Sequence, residues 1–215
     1  KFFPQIPYAD VRVRNLLNHT GGLPDYMKWV DELAKRENTI PGNDVIVGFL
    51  CECGKKAEFA PGEKFEYSNT GYCLLAEIVE KVSGVPFEDF LRKEIFEPAG
   101  MTTARVRHRR KNRETVPNLA HAMVLEEGRL VRPEDSKWSR YTVTLDGASG
   151  DGNVYASVLD LFAWDQALRA GKVLTREEQE MMYTPGKLND GKTVGEEEYG
   201  YGFGWFVVEP EELGK

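Results

Sequence analysis

Residues 59–72 read FAPGEKFEYSNTGY and lead into the strongest helical pattern of the chain. Its Pro-Gly pair predicts a turn, and the alternating Phe65 and Tyr67 predict an extended segment after it. Three small polar residues follow at 68–70. The apolar residues of the next segment recur with a 3.6-residue period, which predicts a helix over residues 71–82. The stretch therefore predicts a turn, an extended segment and a helix start in direct succession.

The polar residues before this helix allow two interpretations. Ser68, Asn69 or Thr70 would serve as an N-cap, accepting a hydrogen bond from an N–H that the helix leaves unpaired. Alternatively, Tyr67 and Asn69 point side by side into a cleft. There the phenol would move a proton if nearby cations lowered its pKa from ~10. The amide of Asn69 would bind a substrate carbonyl and orient a lysine. The tripeptide alone favours the capping role.

The rest of the chain is predicted to be rich in helices, with a strand near its end. Two capping boxes, Ser157 with Asp160 and Thr175 with Glu178, begin helices over 158–169 and 176–182. Glu127-Gly128 predicts the turn of a hairpin. The remaining predictions are a helix over 25–35, a helix or buried strand over 42–50, a helix over 87–96, a hairpin over 124–131, and one strand over 199–208 that carries aromatic residues on one face and glycines on the other.

Composition narrows the class of protein. The 215 residues are 41% apolar and 29% charged, which excludes wholesale disorder. The 28 basic and 35 acidic residues give a net charge of −7, which disfavours nucleic-acid binding. The sequence contains no run of ~18 apolar residues, which is the length needed to cross a membrane. The three cysteines Cys51, Cys53 and Cys73 are odd in number and lack the spacing of a zinc or redox motif, so we expect ordinary thiols.

Five segments in a fixed order carry a resemblance to a known family. Together they resemble the penicillin-recognising serine hydrolases, in the branch of class C β-lactamases, D-alanyl-D-alanine carboxypeptidases and related esterases. The segments are LLNHTGGLP at 16–24, FAPGEKFEYSNTGY at 59–72, FEDF through IFEPAGM at 87–101, GDGNVYASVLDL at 150–161 and GYGFGW at 200–205.

The resemblance implies an α+β, β-lactamase/transpeptidase-like fold. In this fold a mostly helical part is inserted into an antiparallel sheet with flanking helices, and the cleft between them holds the site. Residues 1–198 would be the helix-rich part that lines the cleft, and residues 199–215 would start the C-terminal sheet. The N-terminal sheet and the nucleophile helix would be absent from this chain. We therefore expect the chain to hold mostly the helical part.

The resemblance also implies a site and an activity. Tyr67 would be catalytic, Asn69 would bind substrate, and Ser68 would be a spacer between them. The full-length protein would transfer an acyl group from a lactam, D-amino peptide or ester carbonyl to a serine, without cofactor or metal. Its partner would be a small molecule or peptide. The alternative is a non-catalytic family member that binds a peptidoglycan-like peptide or a protein. The family suggests an extracytoplasmic, bacterial location; the oligomeric state stays open.

Two family elements are missing from the sequence. No serine is followed three residues later by lysine, so Ser-x-x-Lys is absent, and we expect this chain alone to be inactive. Both chain ends look cut. The late Lys-Thr-Gly or His-x-Gly element is also absent. Lys192-Thr193-Val194 imitates it, but it precedes the expected strand, lacks the glycine and sits in a polar loop, so we assign it no role.

The remaining candidates have ordinary structural interpretations. Gly147–Asp151 nearly matches a nucleophile elbow, but Asp151 stands where glycine is needed, so a tight glycine turn is expected. The three histidines have no metal-binding spacing, and His19 is expected to be a hydrogen-bonded turn residue. The basic run at 105–113 is expected to be a solvated loop or hairpin edge.

Overall fold

The structure is a computed structural model that describes residues 2–107, 115–137 and 143–208. Short antiparallel strands accompany a larger set of helices. The α-helices are α1 (Val13–Leu17), α2 (Val30–Glu37), α3 (Asn43–Glu52), α4 (Asn69–Ser83), α5 (Phe87–Leu91), α6 (Glu97–Ala99), α7 (Val158–Arg169) and α8 (Arg176–Tyr183). The strands are β1 (Arg105–Val106), β2 (Val124–Glu126), β3 (Arg129–Val131), β4 (Val154–Tyr155), β5 (Gly195–Glu196), β6 (Tyr199–Tyr201) and β7 (Phe206–Val207).

The strands form three small antiparallel sheets. Strand β1 pairs with β4, β2 pairs with β3, and β6 lies between β5 and β7. The predicted hairpin over 124–131 is confirmed, with Val124 opposite Val131. Its turn residues Glu127 and Gly128 both have positive φ, at 48° and 76°, as a type I′ hairpin turn requires.

The main core lies among α2, α3 and α4. The helix predicted over 71–82 is confirmed and begins two residues earlier, at Asn69. The segment at 42–50, for which helix and strand were both open, is the helix α3. One face of each helix is apolar, and burial of these faces removes apolar area from water. The buried residues contributed by these helices are Val30, Leu33, Ile46, Leu50, Cys73 and Leu74.

The single helix predicted over 25–35 is wrong. A 3₁₀ turn at Tyr26–Lys28 comes first, and α2 begins only at Val30. The break is at Trp29, whose φ of −137° is not helical. The Asp25 carboxylate caps the 3₁₀ turn by accepting from the Met27 N–H at 2.8 Å. A local cap therefore interrupts a pattern that looked continuous in the sequence.

The single strand predicted over 199–208 is also wrong. The chain folds back as a hairpin, with Tyr201 of β6 opposite Phe206 of β7. The turn depends on Gly204, which has a φ of +80°, a conformation that side chains with a Cβ rarely adopt. The predicted bare glycine face is confirmed, because a Cβ on Gly202 would lie 2.1 Å from the carbonyl oxygen of Met182.

The other helix predictions hold with one modification. The helix over 87–96 starts as α5 but continues as a π-helical turn at Arg92–Phe96 before α6. Helix α7 has the predicted bounds, and α8 ends one residue later than predicted, at Tyr183. Both capping boxes are confirmed. Most of the basic run at 105–113, including His108, lies outside the described residues. Within the described residues, no helix is long and apolar enough to span a bilayer.

Candidate active site

The sequence motifs at 16–24 and 59–72 lie side by side, and together they form the candidate site. The Glu66 N–H donates to the carbonyl oxygen of His19 at 3.0 Å, and the Glu58 N–H donates to that of Gly22 at 2.8 Å. Gly22 has a φ of +65°, and a Cβ there would lie 2.1 Å from the carbonyl oxygen of Phe59. Only glycine permits this approach. The segment at 16–24 therefore runs along the segment at 59–72 and ends beside the start of α4.

Tyr67 lies at the exposed edge of these two neighbouring segments. Its side chain is 51% exposed, and its ring stacks on the His19 ring with centroids 4.1 Å apart. Partial burial raises the pKa of Tyr67, and the carboxylates of Asp151 and Asp25 raise it further. The sequence hypothesis asked for nearby cations that lower this pKa, whereas the described residues raise it. A cation from outside the described residues would have to supply the opposite effect.

The ring of His19 lies directly beneath the ring of Tyr67. It is buried, with a φ of 56°. Its Nδ1 accepts from the Ser68 backbone N–H at 3.1 Å, so the proton of the neutral ring is on Nε2. Nε2 then donates to the hydroxyl of Tyr201 at 3.0 Å. Burial lowers the pKa of His19 to about 4, which keeps the ring neutral. The expectation of a hydrogen-bonded turn histidine is confirmed.

Two further tyrosines, Tyr72 and Tyr201, pack on His19, and we call these three rings the aromatic platform. Tyr72 stacks on His19 at 5.1 Å, and its hydroxyl donates to the carbonyl oxygen of Leu17 at 2.9 Å. Tyr201 meets the His19 ring edge-on at 4.9 Å, and burial raises the pKa of Tyr201 to about 12. Tyr201 is 182 positions from His19 in sequence. Strand β6 is thus tied to the site by one hydrogen bond and by ring contacts.

The structure excludes the capping interpretation of the residues at 68–70. Ser68 occupies the N-cap position of α4, but its side chain makes no capping bond. The cap comes from Asp25, whose Oδ2 accepts from the Asn69 backbone N–H at 2.7 Å. The Thr70 hydroxyl accepts from the Tyr26 N–H at 2.8 Å instead of capping. A residue remote in sequence thus stabilises the start of α4.

Asn69 is half-buried, and its amide is held at the nitrogen end. Nδ2 lies 3.3 Å from Asp25 Oδ2 and 3.0 Å from the Met27 sulfur. Since a carboxylate only accepts, the amide must present its NH₂ group to Asp25. The carbonyl oxygen Oδ1, at the other end of the planar amide, points away from Asp25. The sequence hypothesis assigned the NH₂ donors to substrate; the structure engages them internally.

Asp25 is the site residue that the sequence reasoning missed. Its position before a short helical pattern suggests an N-cap, and it does cap the 3₁₀ turn. Its hydrogen bonds to Asn69, however, span 44 positions in the sequence, and no local sequence pattern predicts them. The backbone on either side of Asp25 is held by Thr70, whose hydroxyl donates to the Pro24 carbonyl oxygen at 2.9 Å.

A second carboxylate lies behind the first. The Tyr26 hydroxyl donates to Asp151 Oδ2 at 2.6 Å, and Tyr26 is only 2% exposed. Burial raises the pKa of Asp151, and hydrogen bonds from Tyr26 and Cys73 oppose that rise. Burial also raises the pKa of the Cys73 thiol well above its usual range, so this thiol is not an activated nucleophile. Cys51, Cys53 and Cys73 are free thiols in the structure.

The other serine and lysine candidates do not join the site. The Ser68 hydroxyl is buried and has no hydrogen-bond partner among the described residues, so none of these residues activates it as a base. The Ser149 backbone is fixed by Asn43, and Gly150 adopts a φ of +102°, as expected for a tight glycine turn. Lys192 forms an exposed ion pair with Asp190 at 2.8 Å.

The comparisons with known proteins agree with one another. A family model described as "Beta-lactamase" matches residues 2–214. Penicillin-binding protein 4* of Bacillus subtilis (strain 168) is 40% identical over 218 residues, which cover 100% of this chain and 47% of that protein. The D-aminopeptidase of Brucella anthropi is 29% identical over 178 residues, 80% of this chain and 30% of that protein. The chain thus spans less than half the length of these relatives.

Two solved structures show how far the similarity extends in three dimensions. The octameric penicillin-binding protein homologue from Pyrococcus abyssi superposes with a TM-score of 0.70 at 30% identity, covering 95% of this chain and 46% of that one. The D-amino acid amidase from Ochrobactrum anthropi SV3, complexed with L-phenylalanine amide, gives a TM-score of 0.70 at 26% identity, covering 96% of this chain and 57% of that one.

Proposed function

Since this chain belongs to the Beta-lactamase family, as its motifs predicted, we propose that the whole protein is a serine hydrolase that works by acyl transfer. The α+β, β-lactamase/transpeptidase-like fold expected from the sequence is confirmed by the solved structures that superpose on the chain. The substrate is a lactam, D-amino peptide or ester carbonyl. The names of the relatives, a penicillin-binding protein and D-aminopeptidases, support this substrate class.

One observation carries the proposal. Tyr67 and Asn69 flank a buried Ser68 at the first turn of α4, and each is held by a partner from the segment at 16–25. A packing tyrosine would be buried, whereas Tyr67 keeps half of its surface exposed above a neutral histidine. A capping asparagine would bond the helix, whereas Asn69 is capped by another residue. The exposed Tyr67 side chain and the Oδ1 end of Asn69 are thus the groups that we assign to the chemistry.

The proposed roles follow from these surroundings. A serine from outside this chain attacks the substrate carbonyl, and Tyr67 takes or returns the proton during acylation and deacylation. A lysine ammonium beside the Tyr67 hydroxyl would offset the raising effect of Asp25 and Asp151 on its pKa. Asn69 Oδ1 accepts a hydrogen bond from that ammonium or from a substrate N–H. The serine and the lysine are the Ser-x-x-Lys pair that this chain lacks.

The division of the chain belongs to the same proposal. Residues 1–198 are the helix-rich part that lines the cleft, and residues 199–215 start the C-terminal sheet, although its first strand β5 already lies before that boundary, at Gly195–Glu196. The hydrogen bond between His19 and Tyr201 ties β6 to the aromatic platform, so this sheet packs directly against the part that lines the cleft.

The deciding experiment is covalent labelling of the full-length protein. The protein is treated with a fluorescent penicillin or a fluorophosphonate, and mass spectrometry locates the acylated residue. We expect one adduct on a serine of a Ser-x-x-Lys sequence outside this chain, while this chain alone stays unlabelled. An adduct on Ser68 or Ser149 would overturn the assignment. A full-length protein that binds a peptidoglycan-like peptide without forming any adduct would be a non-catalytic family member.

A further inference from the structure

The Asp25 carboxylate accepts hydrogen bonds from two parts of the site. Its Oδ1 accepts from the Met27 backbone N–H at 2.8 Å. Its Oδ2 accepts from the Asn69 backbone N–H at 2.7 Å and is 3.3 Å from Asn69 Nδ2. Hydrogen bonds to a charged acceptor are stronger than those between neutral groups. One carboxylate therefore fixes both the start of α4 and the side chain of Asn69.

We propose that Asp25 is the positioning residue of the acyl-transfer site, which holds the Asn69 amide in one orientation and so presents Oδ1 to the reacting groups. This inference rests on the proposed function. The orientation matters because the two ends of an amide have opposite hydrogen-bonding roles. A rotation of the amide by 180° would turn Oδ1 toward the Asp25 carboxylate, two acceptors facing each other, and would offer NH₂ donors in place of an acceptor.

The carboxylate itself is held rigidly. The backbone of its loop is bound to α4 on both sides, because the Thr70 hydroxyl accepts from the Tyr26 N–H and donates to the Pro24 carbonyl oxygen. Tyr26 is buried, and its hydroxyl is bonded to Asp151. A positioning group requires its own geometry to be fixed by packing and hydrogen bonds. Asp25 meets this requirement through the Thr70 hydroxyl and the buried Tyr26, without any contribution from the Asn69 side chain.

The Met27 sulfur is the other neighbour of the Asn69 amide, at 3.0 Å from Nδ2. A thioether is a weak acceptor with no charge, so it discriminates weakly between the two ends of the amide. The carboxylate discriminates strongly, since it repels one end and binds the other. Asp25 therefore determines the orientation, while Met27 mainly fills space beside it.

Two substitutions at position 25 separate positioning from folding. Asp25→Asn keeps the size of the side chain but puts an NH₂ group where one carboxylate oxygen was. Asp25→Ser keeps an oxygen that can cap the 3₁₀ turn by accepting from Met27, but the shorter side chain does not reach Asn69. The matched control is Thr175→Ala, which removes the cap of α8 far from the site, where the Thr175 hydroxyl accepts from the Glu178 N–H at 3.2 Å.

The experiment measures the acylation rate of the full-length protein by a fluorescent penicillin, together with the melting temperature of each variant. We expect Asp25→Asn and Asp25→Ser to lower the acylation rate about tenfold or more, because misplacement of a positioned group by 1 Å costs up to ~10²-fold. Thr175→Ala is expected to lower the melting temperature and to keep the parental acylation rate. Parental acylation in both Asp25 variants, or an equal loss of rate in Thr175→Ala, would overturn the inference.

A second readout does not depend on activity. Nuclear magnetic resonance of ¹⁵N-labelled full-length protein measures how fast the Asn69 side-chain NH₂ protons exchange with water. We expect slow exchange in the parent and exchange at least several times faster in Asp25→Ser. Equal exchange in the two proteins would show that Asp25 does not hold the amide. If the parent takes no label, the proposed function fails, and the exchange measurement still decides the role of Asp25.

Discussion

Replacing the amide of Asn69 by a carboxylate tests the geometry of the site most directly. In Asn69→Asp, an oxygen takes the place of Nδ2 at 3.3 Å from Asp25 Oδ2. Two unit charges at that separation repel by about 5 kcal/mol at an effective dielectric constant of ~20. Asn69 is half-buried, so we discount this for solvent screening and expect a net loss of about 2 kcal/mol in the free energy of unfolding at neutral pH.

The sign of the pH dependence follows from the same repulsion. The Asp25 charge raises the pKa of the new carboxyl at position 69 above its value in the unfolded chain. A carboxyl with a raised folded-state pKa takes up its proton more readily in the folded state. The variant should therefore approach Asn69→Ala in stability below about pH 4 and fall behind it as pH rises through the folded-state pKa.

The assay is chemical denaturation of the parent, Asn69→Asp and Asn69→Ala from pH 3 to pH 8. Asn69→Ala is the matched control, because it removes the amide without adding a charge, and its deficit relative to the parent should stay nearly constant. A second comparison uses Asn69→Asp combined with Asp25→Asn, which removes the repulsion and should flatten the pH dependence. If the deficit of Asn69→Asp does not change with pH, the side chains of residues 25 and 69 are not adjacent, and the reasoning is refuted.

Three further predictions concern other parts of the site. Tyr67→Phe in the full-length protein should lower the acylation rate by ~10² to 10⁴ at unchanged melting temperature, measured with a fluorescent penicillin; a rate within threefold of the parent would show that Tyr67 is not catalytic. Burial lowers the pKa of His19 to about 4, so the neutral ring stabilises the fold above about pH 6.5, and this contribution of about 3 kcal/mol should be lost as pH falls to about 4. In His19→Asn, the free energy of unfolding should depend less on pH over that range. An identical pH dependence in the variant and the parent would contradict a buried neutral histidine. Gly202→Ala should lower the melting temperature markedly, because its Cβ would lie 2.1 Å from the Met182 carbonyl oxygen; thermal unfolding checks this, and Gly152→Ala, where a Cβ meets nothing within 4 Å, is the control.

The sequence predicted the elements whose signals are local. The apolar period of α4, the capping boxes of α7 and α8 and the hairpin turn at Glu127-Gly128 all depend on residues within a few positions of one another, and all are confirmed. The motifs also led to the family, because five segments in a fixed order are specific even where each one is short. Tyr67 and Asn69 were selected in the same way, from their place between an extended segment and a helix.

The backbone conformation of single residues decided two elements that the periodicity of the sequence did not predict. The pattern at 25–35 is helical by period, but the Asp25 cap and the backbone break at Trp29 divide it. The glycines near the chain's end look like one strand, but Gly204 turns the chain back because it adopts positive φ. In both cases a backbone conformation stabilised at one residue overrides the periodicity of its neighbours.

The chemical state of the site was likewise beyond the sequence. Ser68-Asn69-Thr70 has the composition of an N-cap, and only the structure shows that a carboxylate 44 positions away caps α4 and engages the Asn69 NH₂ group. The bond from His19 to Tyr201 spans 182 positions. The sequence by itself determined which residues are chemically suited to the site. Which atoms they offer depends on hydrogen bonds between distant segments, which form only when the core brings those segments together.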